Sequence, residues 1–247
     1  MIFSKYTAYT MRMKKFFIIL TTSVLVTFIT AIFLCVQVLQ MPQQVSAFDE
    51  DELRIVLDAG HGGVDGGVTG KTTGVKESDL NLAFTHSIKE VLEDMGFVVT
   101  LTRKTEAGLY GTPTKGFKRR DMQKRQEIIA ETKPALVLSI HQNFYPSKSS
   151  RGGQVFYNKA DGDSRALAEI MQNQINALYQ KQGARGRKCM TGKYFILECS
   201  VYPTVIIECG FLSNAEDEKM LTSEVWREEF SHAIGAGVMQ FLSNTTI

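Results

Sequence analysis

Short continuous apolar runs alternate along this chain with segments whose apolar residues recur at helical spacing. Arg54–Asp58 (RIVLD) reads as a buried strand running into a glycine-rich loop, Gly60–Gly70. Ser78 or Asp79 is placed to cap the next segment, where Leu80, Ala83, Phe84, Ile88, Val91 and Leu92 mark one helical face. Gly96 stops that helix, and Phe97–Thr102 predicts a strand. A polar loop with Gly108, Gly111, Pro113 and Gly116 follows, then a basic helix from about Arg120 to Thr132, closed by Pro134. Ala135–Ile140 (ALVLSI) is a further strand, leading straight into His141. Strands are expected again over Gly153–Tyr157, Tyr194–Leu197 and Thr204–Ile207, with helices over Ser164–Gln180 and Val225–Leu242.

Near-continuous apolar strands alternating with helices predict an α/β fold. The expectation is a single domain with a mostly parallel twisted sheet covered by helices on both faces. Ligands of such sheets bind beyond the carboxyl ends of the strands. Asp58 to His61, His141 and Glu208 each follow a strand in that sense.

The N-terminus breaks this pattern. Lys5, Arg12, Lys14 and Lys15 precede a stretch, Phe16–Phe48, without any charged residue. Its Phe16–Val38 part is long and apolar enough to cross a bilayer. Basic residues, an apolar run and a small-residue site at Val45-Ser46-Ala47 together make an export signal, cleaved or retained as a membrane anchor. Residues 1–47 are therefore set apart from a domain over 48–247, and the protein is expected outside the cytoplasm. Without residues 1–47 the chain keeps 24 basic and 26 acidic residues, so the basic whole-chain balance is no sign of a nucleic-acid partner. Cys189, Cys199 and Cys209 remain, an odd number that argues against a complete disulfide framework. They read as reduced thiols, with a Cys189–Cys199 bridge as the alternative.

The strand ends carry the chemistry. Two histidines and a carboxylate suit zinc, whose catalytic sites keep a further position open for water. His61 lies among glycines that let the backbone approach a ligand closely, Glu77 precedes a helix, and His141 emerges from a buried strand. Taken singly, each has a plainer reading: a hydrogen-bonded strand-end histidine, or an acid favoured at a helix N-terminus. His86 and His232 fall within predicted helices and read as surface residues. Glu208 follows Thr204–Ile207 and precedes Cys209-Gly210-Phe211-Leu212, so its carboxylate is expected to be desolvated and its pKa raised toward the range of a useful base. A structural partner for it would be Arg103 or Arg125.

These residues lie in runs that resemble the zinc-dependent N-acetylmuramoyl-L-alanine amidases. Ile55-Val56-Leu57-Asp58-Ala59-Gly60-His61-Gly62-Gly63 is similar to the family's opening motif, and Glu77 before Asn81-Leu82-Ala83 to its second. Ser139-Ile140-His141-Gln142-Asn143 is similar to the third, with Gln142 where a small residue is common. Ile207-Glu208-Cys209-Gly210-Phe211-Leu212-Ser213-Asn214 is similar to the fourth and is the most specific. Gly111–Arg120, Arg125 and Gly152–Tyr157 look closer to the germination-specific amidases of spore-formers.

The resemblance implies one zinc ion per chain held by His61, Glu77 and His141, with Glu208 as the catalytic acid–base. It implies hydrolysis of the amide between N-acetylmuramic acid and the L-alanine of the peptidoglycan stem peptide, in preparing spore cortex for germination. Asn143 and Arg125 are candidate substrate contacts. Lys115, Lys118, Arg119, Arg120, Lys124 and Arg125 form a basic group suited to stem-peptide carboxylates, or a solvated face. Peptidoglycan is thus the expected partner, with the membrane through the N-terminal segment and an activating protein yet to be identified. Two other readings are a zinc carboxypeptidase, which usually places His and Glu three apart where this chain has Val64, and a non-catalytic wall-binding module. Such a module should have lost one of His61, Glu77, His141 or Glu208, and all four are present.

Overall fold

The computed structural model describes residues 53–245 and Thr30. The expected signal or anchor over 1–47 falls, apart from Thr30, outside them. Among the described residues no helix is long and apolar enough to cross a membrane.

Six strands form one sheet. They are β1 (Arg54–Ala59), β2 (Val98–Leu101), β3 (Leu136–Asn143), β4 (Gln154–Tyr157), β5 (Met190–Thr191) and β6 (Thr204–Phe211). Their order across the sheet is β2-β1-β3-β6-β4-β5. The four strands from β2 to β6 run parallel, β4 is antiparallel to β6, and β5 is parallel to β4. Between them lie helices α1 (Glu77–Asp94), α2 (Phe117–Thr132), α3 (Gly162–Lys181), α4 (Phe195–Glu198), α5 (Ala215–Leu221) and α6 (Glu224–Thr245).

The two-residue period of the strands divides the core. Ile55, Leu57, Leu138, Ile140, Val205 and Ile207 point to one face and pack with Phe84, Met171, Phe230 and Ile234. Val56, Val137 and Ile206 point to the other and pack with Ile129, Ile196 and Leu197. Burying strands on both faces requires apolar residues at every position, which is why β1, β3 and β6 read as unbroken runs. Asp58, Ser139, His141 and Glu208 continue the second row, and that row opens into the site.

Two expectations change in detail. Tyr194–Leu197 is not a strand. Ile196 and Leu197, adjacent in sequence, are both buried while Tyr194 and Phe195 are exposed. The N–H of Leu197 bonds to the Tyr194 carbonyl and that of Cys199 to Phe195, closing a single helical turn. The sheet edge is taken instead by β5. β3 and β6 also run further than their apolar cores, so His141 and Glu208 lie inside strands rather than after them. The three cysteines of the domain are all free.

Candidate active site

β1 stops at Ala59, whose register partner is Ile140, and Ile140 in turn pairs with Ile207. The next pair in register is His141 and Glu208. Both side chains therefore project one step past the end of β1, beside the turn that carries His61. A bulge in β6, between the Glu208 and Phe211 pairings, then ends the regular register.

Glu77, the first residue of α1, reaches between the two histidines. Its Oε1 lies 3.2 Å from His61 Nε2 and 2.9 Å from His141 Nδ1. The backbone N–H of Gln142 donates to the same oxygen at 3.2 Å, and that of Val68 donates to Oε2 at 2.9 Å. One ligand atom from each of His61, Glu77 and His141 lies within 4.8 Å of the other two. Among the described residues this is the one such convergence of His, Cys, Asp or Glu. Donors at these separations fit around an ion with bonds of roughly 2.0–2.2 Å, and two imidazoles with one carboxylate suit a zinc-like metal. The nitrogens turned toward Glu77 are His61 Nε2 and His141 Nδ1.

Close backbone packing supports both groups. A Cβ on Gly60 would stand 2.2 Å from Cε1 and Nε2 of His141, so only glycine leaves room for that ring. Gly67, at φ +66°, presses on the Glu77 carboxylate, where a Cβ would meet Oε2 at 2.4 Å. His61 itself takes φ 62°, a sparsely populated region for a residue with a side chain.

Two buried arginines hold this turn from below. Arg125 donates from Nη1 to Asp58 Oδ1 and to the Ala59 carbonyl, from Nη2 to the His61 carbonyl, and from Nε to Asp121. Arg103 donates to the carbonyls of Ala59, Gly60, Ser78 and Thr105. Asp58 also accepts from Thr102 and Ser139. Burial pushes its carboxyl up, but Arg125 and the two hydroxyls outweigh that and bring it down to about 2. Burial likewise acts to raise Glu77, and hydrogen bonds from His141 and His61 hold it well below the usual carboxylate range.

Glu208 behaves differently. Its Oε2 is shielded from solvent and has no hydrogen-bond partner among the described residues. Burial raises its pKa to about 7, with His141 pulling it down and Glu77 adding to the rise. The expected structural partners, Arg103 and Arg125, are both engaged elsewhere. Glu208 shares with His61, Glu77 and His141 the wall of a cavity of about 460 Å³.

The candidate substrate contacts separate. Asn143 lines the cavity, its Oδ1 accepting from the N–H of Phe144. Arg125 is 2% exposed, and its guanidinium is bound up in the internal network above, so it is no free cation facing a substrate. Of the expected basic group, Arg120 donates to the carbonyls of Tyr110, Thr112 and Lys115, and Lys124 pairs with Glu127. Lys118 is the exposed member that lines the cavity. Sequence reasoning quoted Asn81 in a motif but gave it no role; it bonds the Gly60 carbonyl and Gln142 and lies 3.4 Å from Glu77 Oε1. A polar residue on the apolar face of α1, four residues after Glu77, was the available signal.

Residues 55–240 match the family described as N-acetylmuramoyl-L-alanine amidase. The chain belongs to that family. This amidase is 30% identical over 192 residues to the germination-specific N-acetylmuramoyl-L-alanine amidase of Bacillus subtilis, covering 76% of this chain and 79% of that one. Its fold is similar to that of the CwlD amidase from Clostridioides difficile, solved in complex with the GerS lipoprotein. There the TM-score is 0.73 at 34% identity, over 77% of this chain and 98% of the other. It is also similar to the catalytic domain of CwlV, an N-acetylmuramoyl-L-alanine amidase from Bacillus (Paenibacillus) polymyxa var. colistinus. That match has a TM-score of 0.66 at 26% identity, over 77% of this chain and 98% of that domain. Amidase membership sets aside the carboxypeptidase reading.

Proposed function

We propose that this amidase is zinc-dependent and hydrolyses the amide joining the lactyl group of N-acetylmuramic acid to the L-alanine of the stem peptide. His61 Nε2, Glu77 and His141 Nδ1 would hold the ion. The observation that carries the reading is Glu208: a buried carboxylate whose Oε2 has no hydrogen-bond partner among the described residues, on the wall of the cavity that His61, Glu77 and His141 also line. Zinc, when bound, polarises the carbonyl and lowers the pKa of water to about 7. Glu208 takes the proton of the attacking water and delivers it to the leaving nitrogen. The C–N bond breaks, leaving a lactyl carboxylate on the sugar and a free amino group on L-alanine. Asn143 would contact the substrate, and Phe144, Tyr194 and Phe195 give the same cavity apolar walls.

Cell-wall amidases act outside the cytoplasm, and the basic and apolar pattern of residues 1–47 supports export here, as a cleaved signal or a retained anchor. Similarity to a germination-specific relative supports a role in spore cortex maturation. Similarity to an amidase crystallised with a lipoprotein supports an activating protein partner for this chain as well.

Mass spectrometry of peptidoglycan digested by the purified protein tests the bond assignment. Free stem peptides bearing an L-alanine amino terminus are expected. Release of C-terminal amino acids alone would overturn it.

A further inference from the structure

The reaction just described uses none of Asp58, Asp65 and Asp121 on the cavity wall, and with Asp58 and Asp121 bound to Arg125, Asp65 is left without a task. Asp65 Oδ2 lies 3.2 Å from His61 Nδ1, on the edge of the ring opposite the Nε2 that faces Glu77. Asp65 is outside the set of convergent donors and touches the far side of the histidine instead. Its own position is fixed. Asp65 and Gly62 exchange backbone hydrogen bonds of 3.2 and 2.9 Å, and Oδ1 accepts from the N–H of Gly67 at 3.4 Å. From the first turn of α2, Lys118 Nζ reaches the same Oδ2 at 3.3 Å.

An imidazole that binds a metal through Nε2 must carry its proton on Nδ1. A carboxylate accepting that proton selects the tautomer, fixes the ring plane and makes the ligating nitrogen more basic. His61 needs such an anchor more than His141 does. His141 is held within β3 and packed against Gly60, whereas His61 sits on a turn at positive φ. We propose that Asp65 is a positioning residue that keeps His61 in the Nδ1–H tautomer with Nε2 toward Glu77. Lys118 braces Asp65 and so ties the start of α2 to the metal centre. The inference rests on the zinc reading above.

Zinc affinity, measured by competition with a chromophoric chelator, reads the effect without activity. Asp65→Ala should weaken binding by roughly 10–100-fold, the usual effect of removing such a partner. Asp65→Asn, which keeps an acceptor but not the charge, should lose less, and Lys118→Ala should lose a few-fold. Nitrogen NMR of the metal-free protein at pH 9 reads the tautomer itself. With Glu77 Oε1 competing for the proton on Nε2, His61 should show an Nδ1–H population in the natural protein that falls, toward Nε2–H, in both Asp65 variants. An unchanged tautomer, or zinc affinity of Asp65→Ala within two-fold of the natural protein, would overturn the proposal. Should Asp65→Ala fail to fold, Asp65→Asn decides by the same two measurements. If the natural protein bound no zinc, the zinc reading would fall, and the NMR comparison would still judge Asp65.

Discussion

His141 and Glu208 are register partners across the parallel strands β3 and β6. The pairing sets a metal-competent imidazole beside an acid while leaving that acid outside the convergent donor set. One strand step in β6 would replace Glu208 with Ile207 or Cys209, both of which point into the opposite core. The register of this strand pair therefore decides whether the cavity contains a base at all.

Replacing each of the two glutamates separates their roles. Glu208→Gln should lower the turnover rate by roughly 10²–10⁴, the usual contribution of a positioned base, while zinc content stays near one per chain. Glu77→Gln should lower zinc content itself. Metal analysis alongside rate measurement checks both, and loss of zinc from Glu208→Gln would mean that the assignments are exchanged.

The raised pKa of Glu208 has a consequence for metal-free protein. Its folded value is moved from 4.5 to about 7, chiefly by burial. The neutral acid thus favours the fold below about pH 4.5, and that contribution is lost as pH rises through 7. Glu208→Gln removes the titration. Relative to the natural protein, the variant should gain roughly 1–3 kcal/mol between pH 4 and pH 8. Denaturant unfolding of both proteins in chelator across this range tests it, and a constant difference would contradict it.

Gly60 faces the ring of His141 at a distance that no Cβ tolerates. Gly60→Ala must displace that ring or the turn, with a cost of about 1–3 kcal/mol. Zinc affinity should fall together with activity, because the ring pushed aside carries a donor atom. Calorimetric titration with zinc checks this, and unchanged binding would show that the turn yields instead.

Arg125 separates structure from substrate recognition. Removing it strands Asp58 in the interior and frees the carbonyls of Ala59 and His61. Arg125→Ala should lower stability by about 3–5 kcal/mol, as expected when one partner of a buried ion pair is deleted. A rise in KM with unchanged thermal stability would restore Arg125 as a substrate contact.

Much of the arrangement was legible in the sequence because doubly buried strands must be apolar throughout. Arg54–Asp58, Ala135–Ile140 and Thr204–Ile207 stood out for that reason, and His61, His141 and Glu208 stood out at their ends. The same rule misread Tyr194–Leu197, where four large residues line up but only two are buried. Arg103 and Arg125 were recognised as partners for a buried acid, yet the acid is Asp58 in the case of Arg125, 67 residues away. Separations of that length leave no local pattern to read. Asp121, one helical turn before Arg125, was the nearby clue that this guanidinium faces inward. Asp65 was given no role, since a turn's hydrogen bonds are not written in residue spacing.

The grip of Arg103 and Arg125 on the carbonyls of Ala59, Gly60 and His61 makes the two sides of the cleft unequal. One side is tied to the sheet by charge-assisted bonds and moves only with the whole fold. Part of the other is built from Tyr194 and Phe195, exposed aromatic residues at the start of the single turn α4. Substitutions there can reshape the wall that meets a substrate while His61, Glu77 and His141 stay where the sheet and the two arginines hold them.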